Sequence, residues 1–312
     1  MERPAAGDDP DATKGRPVIP RRVAAAAIVV LMALQGNVHA EQYHYSITGR
    51  VRPLLLFWIS RSGVGDAVVT RDRTKEHARY SLLIGSDPDR APRRINRWGY
   101  IEEEIQGAEA HLVGLMTQSD EESLEEADAN VRTQAAGRHP FKAIQETVNS
   151  DYARSLVTTI AAPEDYTYRQ LQAALDLAQR DSSTGKSRVL RLPPGTRPGF
   201  LAALAEAMHA TSTAPISYVY HGRLYELHQE HIQRIPNFHI GRVEYGPATA
   251  GDFVITSTHD GERTRFSMTY GTVGPFADVP LKMTYQPRWW MQVELIITDT
   301  GSAPTVTKGE ER

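Results

Sequence analysis

Several short stretches of this chain carry residue types that can do chemistry, and each is tested first by its spacing. Ser183-Thr184-Gly185-Lys186-Ser187 resembles the end of a phosphate loop, where backbone N–H groups and a lysine hold phosphoryl oxygens. Arg180 stands where the first glycine of that pattern belongs, and the segment follows an expected helix rather than a strand. A nucleotide site is therefore not expected. His228-Gln229-Glu230-His231 offers two imidazoles and a carboxylate, but neither HExxH nor HxxEH is present. On a strand, an offset of three sends the two rings to opposite faces. Asp87, Asp89 and Glu102 to Glu104 are the kind of oxygen donors that hold Ca²⁺, without the spacing of an EF-hand. There is no GxSxG elbow. With no cysteine in the chain, thiol catalysis and thiolate metal sites are excluded. No catalytic residue, metal ligand or cofactor is assigned.

Aromatic residues are the remaining lead. In the stretch from Val279 to Asp299, Trp289, Met291, Val293, Leu295 and Ile297 fall on one face of an expected strand. Trp290 falls on the other face, with Gln292, Glu294 and Thr298. A large aromatic there needs cover, from a helix or from a ligand. Tyr285 and Arg288 lie just before it, on the preceding strand and its turn. Trp98 sits among Arg90, Arg93, Arg94 and Arg97 in an expected long loop from Gly85 to Glu104. Loops of such specific composition often carry function. Trp98, Tyr285, Arg288 and Trp290 are thus the candidate ligand-binding residues.

The elements that must position these residues follow from periodicity. Strands are expected near Tyr43–Thr48, Leu54–Ile59, Ala67–Thr70, Arg79–Ile84, His111–Gln118, Phe141–Val148 and Ser155–Ile160. Helices are expected over Asp120–Thr133, Tyr168–Arg180 and Pro198–Ala210, the last two with apolar stripes at helical spacing. From Pro215 the pattern is β again, with hairpin signals at His221-Gly222 and at His259 to Glu262. The expected class is α+β: antiparallel meanders at both ends of the chain, a helical centre, and a C-terminal part that reads as a curved half-barrel sheet. The corresponding divisions are 1–40 leader and signal peptide, 41–162 β-rich, 163–214 helical connector, 215–299 β, and 300–312 a disordered tail.

Composition places the protein more sharply than it assigns an activity. Arg21-Arg22, the apolar run Val23–Leu34 and Val38-His39-Ala40 have the three parts of a secretory signal peptide. The run is too short for a membrane span, which needs roughly 20 apolar residues. Removing residues 1–40, with five basic and four acidic residues, changes the formal charge from -3 to -4. A chain so balanced is not expected to bind nucleic acid. Without disulfides, a packed core must hold the fold.

The segments Ile84 to Glu102 and Tyr285 to Leu295 resemble those of a family of uncharacterised exported bacterial proteins, a resemblance that brings no activity with it. The C-terminal meander is also similar in architecture to the half-barrels of periplasmic lipoprotein carriers, and likeness of fold does not establish function. The expected role is that of a periplasmic or secreted protein that binds an apolar or lipid-like molecule, or another envelope protein. The alternative is a hydrolase of an envelope polymer. No stable transmembrane segment is expected after signal cleavage. N-terminal sequencing of protein from the periplasm or medium should begin at Glu41; intact Met1 in the cytoplasm would remove the export reading.

Overall fold

The computed structural model describes residues 40–52, 58–117, 124–180, 185–210, 214–288 and 290–301. The expected signal peptide, the Ser183-Thr184 half of the phosphate-loop look-alike and most of the tail lie outside them. Fourteen strands form one antiparallel sheet. The first eight are β1 (Glu41–Val51), β2 (Ile59–Arg73), β3 (His77–Ser86), β4 (Trp98–Gln106), β5 (Glu109–Thr117), β6 (Arg138–Val148), β7 (Tyr152–Pro163) and β8 (Lys186–Arg191). The rest are β9 (Ile216–Tyr220), β10 (Arg223–Ile240), β11 (Val243–Ser257), β12 (Arg263–Gly271), β13 (Pro280–Arg288) and β14 (Met291–Gly301). Among the described residues three α-helices accompany them: α1 (Leu124–Ala135), α2 (Leu171–Arg180) and α3 (Phe200–His209).

Each strand pairs with its neighbours in sequence, except that β8 and β9 do not pair and β1 pairs with β14. The order runs from β8 back to β1, then β14 back to β9. The α+β expectation is therefore corrected: strand makes up 64% of the described structure and helix 15%. The expected central helices do form, but they lie on the sheet and do not build a separate layer between two meanders. Trp98–Gln106, expected as the end of a loop, is β4. Its run Glu102-Glu103-Glu104 has too little apolar alternation to read as a strand, and pairing with β3 and β5 on either side decides it.

The sheet buries residues on both faces. On the inner face, register aligns Tyr43, Tyr45 and Ile47 of β1 with Val69 and Ala67 of β2 and with Leu295 and Ile297 of β14. These join one core with Leu281 and Val279. The Tyr45 hydroxyl donates to the Pro280 carbonyl at 2.8 Å, so its buried polar end is satisfied. Farther along the same face, Phe253, Phe266, Met268 and Tyr270 pack on Ala203, Leu204 and Ala207 of α3. On the outer face, Trp98, Leu115, Phe141, Ile160 and Ala162 pack on Ala174 and Ala178 of α2.

The two sheet edges do not pair, yet neither is left as an open template. Val219 of β9 and Leu224 of β10 pack on Ala110, Leu112, Val148 and Ala153, so one edge curls over the inner face of β5–β7. Its free backbone is met by Arg197, whose N–H donates to Ser217 at 2.8 Å and whose carbonyl accepts from Val219 at 3.0 Å. The other edge, β8, is six residues long and carries Lys186, Arg188 and Arg191, a composition that discourages further pairing.

Glycine permits close approach at several points, of which two bear on the site and its sheet. A Cβ on Gly65 would lie 2.1 Å from the Gly85 carbonyl oxygen, so β2 and β3 meet there only without a side chain. Gly199 is treated with the site below. The expected faces of β14 hold for Val293, Leu295 and Ile297, but Glu294 on the opposite face is also buried. It lies between Arg50 at 3.5 Å and Lys282 at 3.0 Å.

Because β14 joins the two runs of strands, its core should govern the whole unit. Leu295→Ala should cost about 2–5 kcal/mol in urea unfolding, through the cavity it leaves. The transition should stay single, seen alike by the fluorescence of buried Trp98 and by far-UV circular dichroism.

A candidate apolar crevice under helix α3

Helix α3 has the sequence FLAALAEAMH, and its apolar stripe is what the sequence foresaw. It starts from Gly199, which has φ 147°. That conformation favours glycine, and a Cβ there would fall 2.3 Å from the carboxyl carbon of Glu103. Glu103, on β4, is fully buried and faces this N-terminus. Its Oε1 accepts from Leu201 N–H at 2.7 Å and its Oε2 from Ala202 N–H at 2.8 Å. A side chain from a distant strand thus satisfies donors that a helix start leaves without partners. The Arg197 side chain pairs with Glu206 and adds a second tether between the approach to the helix and the helix itself.

Burial pushes the Glu103 carboxyl up to about 8, against the pull of the Leu201, Ala202 and Phe200 N–H groups, and Glu146 raises it further. Glu146 does similar work two strands away. It accepts from His221 N–H at 3.1 Å and Gly222 N–H at 2.9 Å, holding the β9–β10 turn to β6. His221 and Gly222 both have positive φ, so the tight turn foreseen at this dipeptide forms. Burial raises the Glu146 carboxyl, again against its two backbone donors. Both carboxylates are enclosed and committed to backbone groups.

One face of α3 leans on β9 to β12; the other leaves a crevice toward β2, β3 and β13. Its walls include Val69, Leu82 and Met283 from the sheet, with Leu201, Leu204, Ala205 and Met208 from the helix. The space is about 70 Å³. Asp278 lies at its mouth, with His209 at 3.0 Å and Arg73 at 3.5 Å. Arg71, also at the rim, pairs with Glu41 and donates to the Ala277 carbonyl at 2.7 Å. The crevice is apolar inside and charged at its rim.

A larger hollow of about 1070 Å³ lies at the β4–β5 and β6–β7 turns, beside Pro193-Pro194-Gly195. Its charged lining includes the paired Arg197 and Glu206. No group of three or more metal-ligating side chains occurs among the described residues. His228 meets Glu230 at 2.9 Å and His231 meets Asp252 at 3.1 Å, so the two histidines have separate partners. Asp87 accepts from Arg90 at 2.7 Å and from Arg169 at 2.8 Å, pinning the β3–β4 connection through arginines.

The four candidate ligand residues do not come together. Trp98 is a core residue of the outer face, 4.8 Å from the Phe141 ring centre, and its Nε1 donates to the Tyr166 carbonyl at 3.3 Å. Tyr285, Arg288 and Trp290 belong to the β13–β14 hairpin, with Tyr285 39% and Trp290 41% exposed. Trp290 stands at the turn between the two strands. Sequence reading missed Glu103, whose only local mark is an acid in a run of three. The stripe of α3 was the legible part of this site. Comparison of the chain with family models, with curated proteins and with solved structures gives no match.

The Glu103 carboxyl supplies a pH test. An unfolded glutamate titrates near 4.5, and the folded one near 8. Between these values the folded state holds the extra proton, so its stability falls as pH rises and levels off above about 8. Glu103→Gln removes that slope and one backbone acceptor. The variant should melt several degrees below the wild type at pH 5, and the gap should narrow toward pH 8. Parallel pH profiles of melting temperature would count against the buried cap.

Proposed function

We propose that this is an exported, non-catalytic binding protein that takes an apolar or lipid-like molecule between helix α3 and the inner face of the sheet. The observation that carries this reading is the crevice lined by Val69, Leu82, Met283, Leu204 and Met208, apolar at its base and charged at its rim. Such a site suits a molecule with a hydrocarbon body and a polar end. Export is supported by the signal-like residues 21–40 of the sequence.

Small-molecule pockets usually offer about 300–1,000 Å³, far more than the 70 Å³ beneath α3. Binding therefore requires α3 to move away from β2 and β3. Its start is clamped by Glu103, while its far half is held by the Arg197–Glu206 pair and by contact of His209 with Asp278 at the crevice rim. Partly exposed polar contacts of this kind hold a helix end weakly.

The hydrolase alternative has less support. A catalytic carboxylate must reach substrate, and Glu103 and Glu146 are sealed in the interior as acceptors of backbone N–H groups.

The test is uptake of a fluorescent fatty acid by the purified protein, with solvent extraction and mass spectrometry for lipid carried from the host. Ala205→Trp places a bulky ring in the crevice. It should weaken uptake by about tenfold or more, equivalent to roughly 1.4 kcal/mol, with the circular dichroism spectrum retained. No uptake by the wild type and no carried lipid would reject the proposal.

A further inference from the structure

We infer that the surface formed by Val51, Trp58, Ile59 and Trp290, at one end of β1, β2 and β14, docks on an anionic lipid bilayer. Four large apolar side chains left exposed meet there, both exposed tryptophans of the described residues among them: Val51 at 40%, Trp58 at 40%, Ile59 at 48% and Trp290 at 41%. The two tips form one patch. Val51 is paired with Ile59 on one side and with Met291 on the other, so three strands present an apolar row. The Arg52 N–H donates to the Trp290 carbonyl at 2.8 Å, which fixes one tip against the other. Pro53 to Phe57, which join β1 to β2, are apolar in sequence but lie outside the described residues and are left out of the site.

Charge selects the partner. The ionisable residues of Arg50–Arg52 and Trp58–Arg61 are Arg50, Arg52 and Arg61, with no acid among them. The first acid along β14, Glu294, is buried against Arg50 and Lys282. The β3–β4 connection reaches the same end, where a Cβ on Gly63 of β2 would lie 3.7 Å from Arg90. It presents exposed Arg93, Arg94 and Arg97 around Ile95, itself 47% exposed, with Asp89 at 3.8 Å from Arg94. Tryptophan prefers the interface between headgroups and acyl chains, and arginine is drawn to anionic headgroups. A second copy of the chain fits less well, because a two-fold contact would bring like charges together. This patch lies outside the crevice lining and does not depend on the ligand reading.

The experiment is flotation of the protein, purified in the form its host accumulates, with vesicles of phosphatidylethanolamine and phosphatidylglycerol. Vesicles of phosphatidylcholine are the neutral control. The wild type should float with the anionic vesicles, less so at high salt, and far less with neutral ones. Trp58→Ser combined with Trp290→Ser should weaken binding by about tenfold or more and leave the melting temperature nearly unchanged. Should the double variant misfold, wild-type fluorescence decides. Trp98 is buried, so a blue shift on adding anionic vesicles reports the other tryptophans entering the interface. No flotation and no blue shift would overturn the inference. Equal flotation of wild type and folded double variant would also overturn it. So would a concentration-dependent dimer, lost in the double variant, without vesicle binding; the patch would then join two copies.

Discussion

The antiparallel ladder between β1 and β14 is the constraint on which the rest of the fold depends. It brings residues 41–51 beside residues 291–301. Without it the chain would hold two separate meanders, each with an extra open edge exposing unpaired backbone groups. With it there are only two edges, β8 and β9, and both come from the middle of the chain. The ladder also assembles a core that neither half contains: Tyr43, Tyr45 and Ala67 come from the start, Leu281, Leu295 and Ile297 from the end. Closing so long a loop costs conformational entropy, which a continuous ladder with an apolar row beneath it offsets.

The second organising feature is the use of buried carboxylates as structural acceptors. Glu103 and Glu146 lie on the same inner face, and register places each opposite Leu112 of the strand between them. One holds the start of α3 and the other the turn between β9 and β10. Both elements belong to the chain segment that must fold back over the sheet. The hydrogen bonds offset part of the desolvation that raises both carboxyl groups. These residues therefore fix the crevice under α3 without taking part in chemistry there.

The apolar surfaces of this scaffold divide between its interior and one end. The interior offers an apolar space that widens only if α3 moves, whereas the end presents aromatic and arginine side chains where the strands turn. Trp290 separates the two. It was expected to need cover from a helix or a ligand, and it stands 41% exposed at the hairpin tip. Trp98, grouped with it by its arginine-rich surroundings, belongs instead to the packed outer face under α2.

The sequence by itself determined the antiparallel character of the two ends, the positions of α2 and α3, and the turn at His221-Gly222. Those features rest on local periodicity and on residues that favour particular backbone angles. Tertiary structure alone decided that the two ends form one sheet, since pairing between residues some 250 apart leaves no local pattern. It also decided that Trp98–Gln106 is a strand. Its acidic run looked like surface, but Glu102 meets Arg79 on one face while Glu103 is enclosed on the other. Burial of such an acid becomes tolerable only when a helix N-terminus arrives to meet it. That helix comes from almost a hundred residues farther along the chain, so only the folded molecule could reveal it.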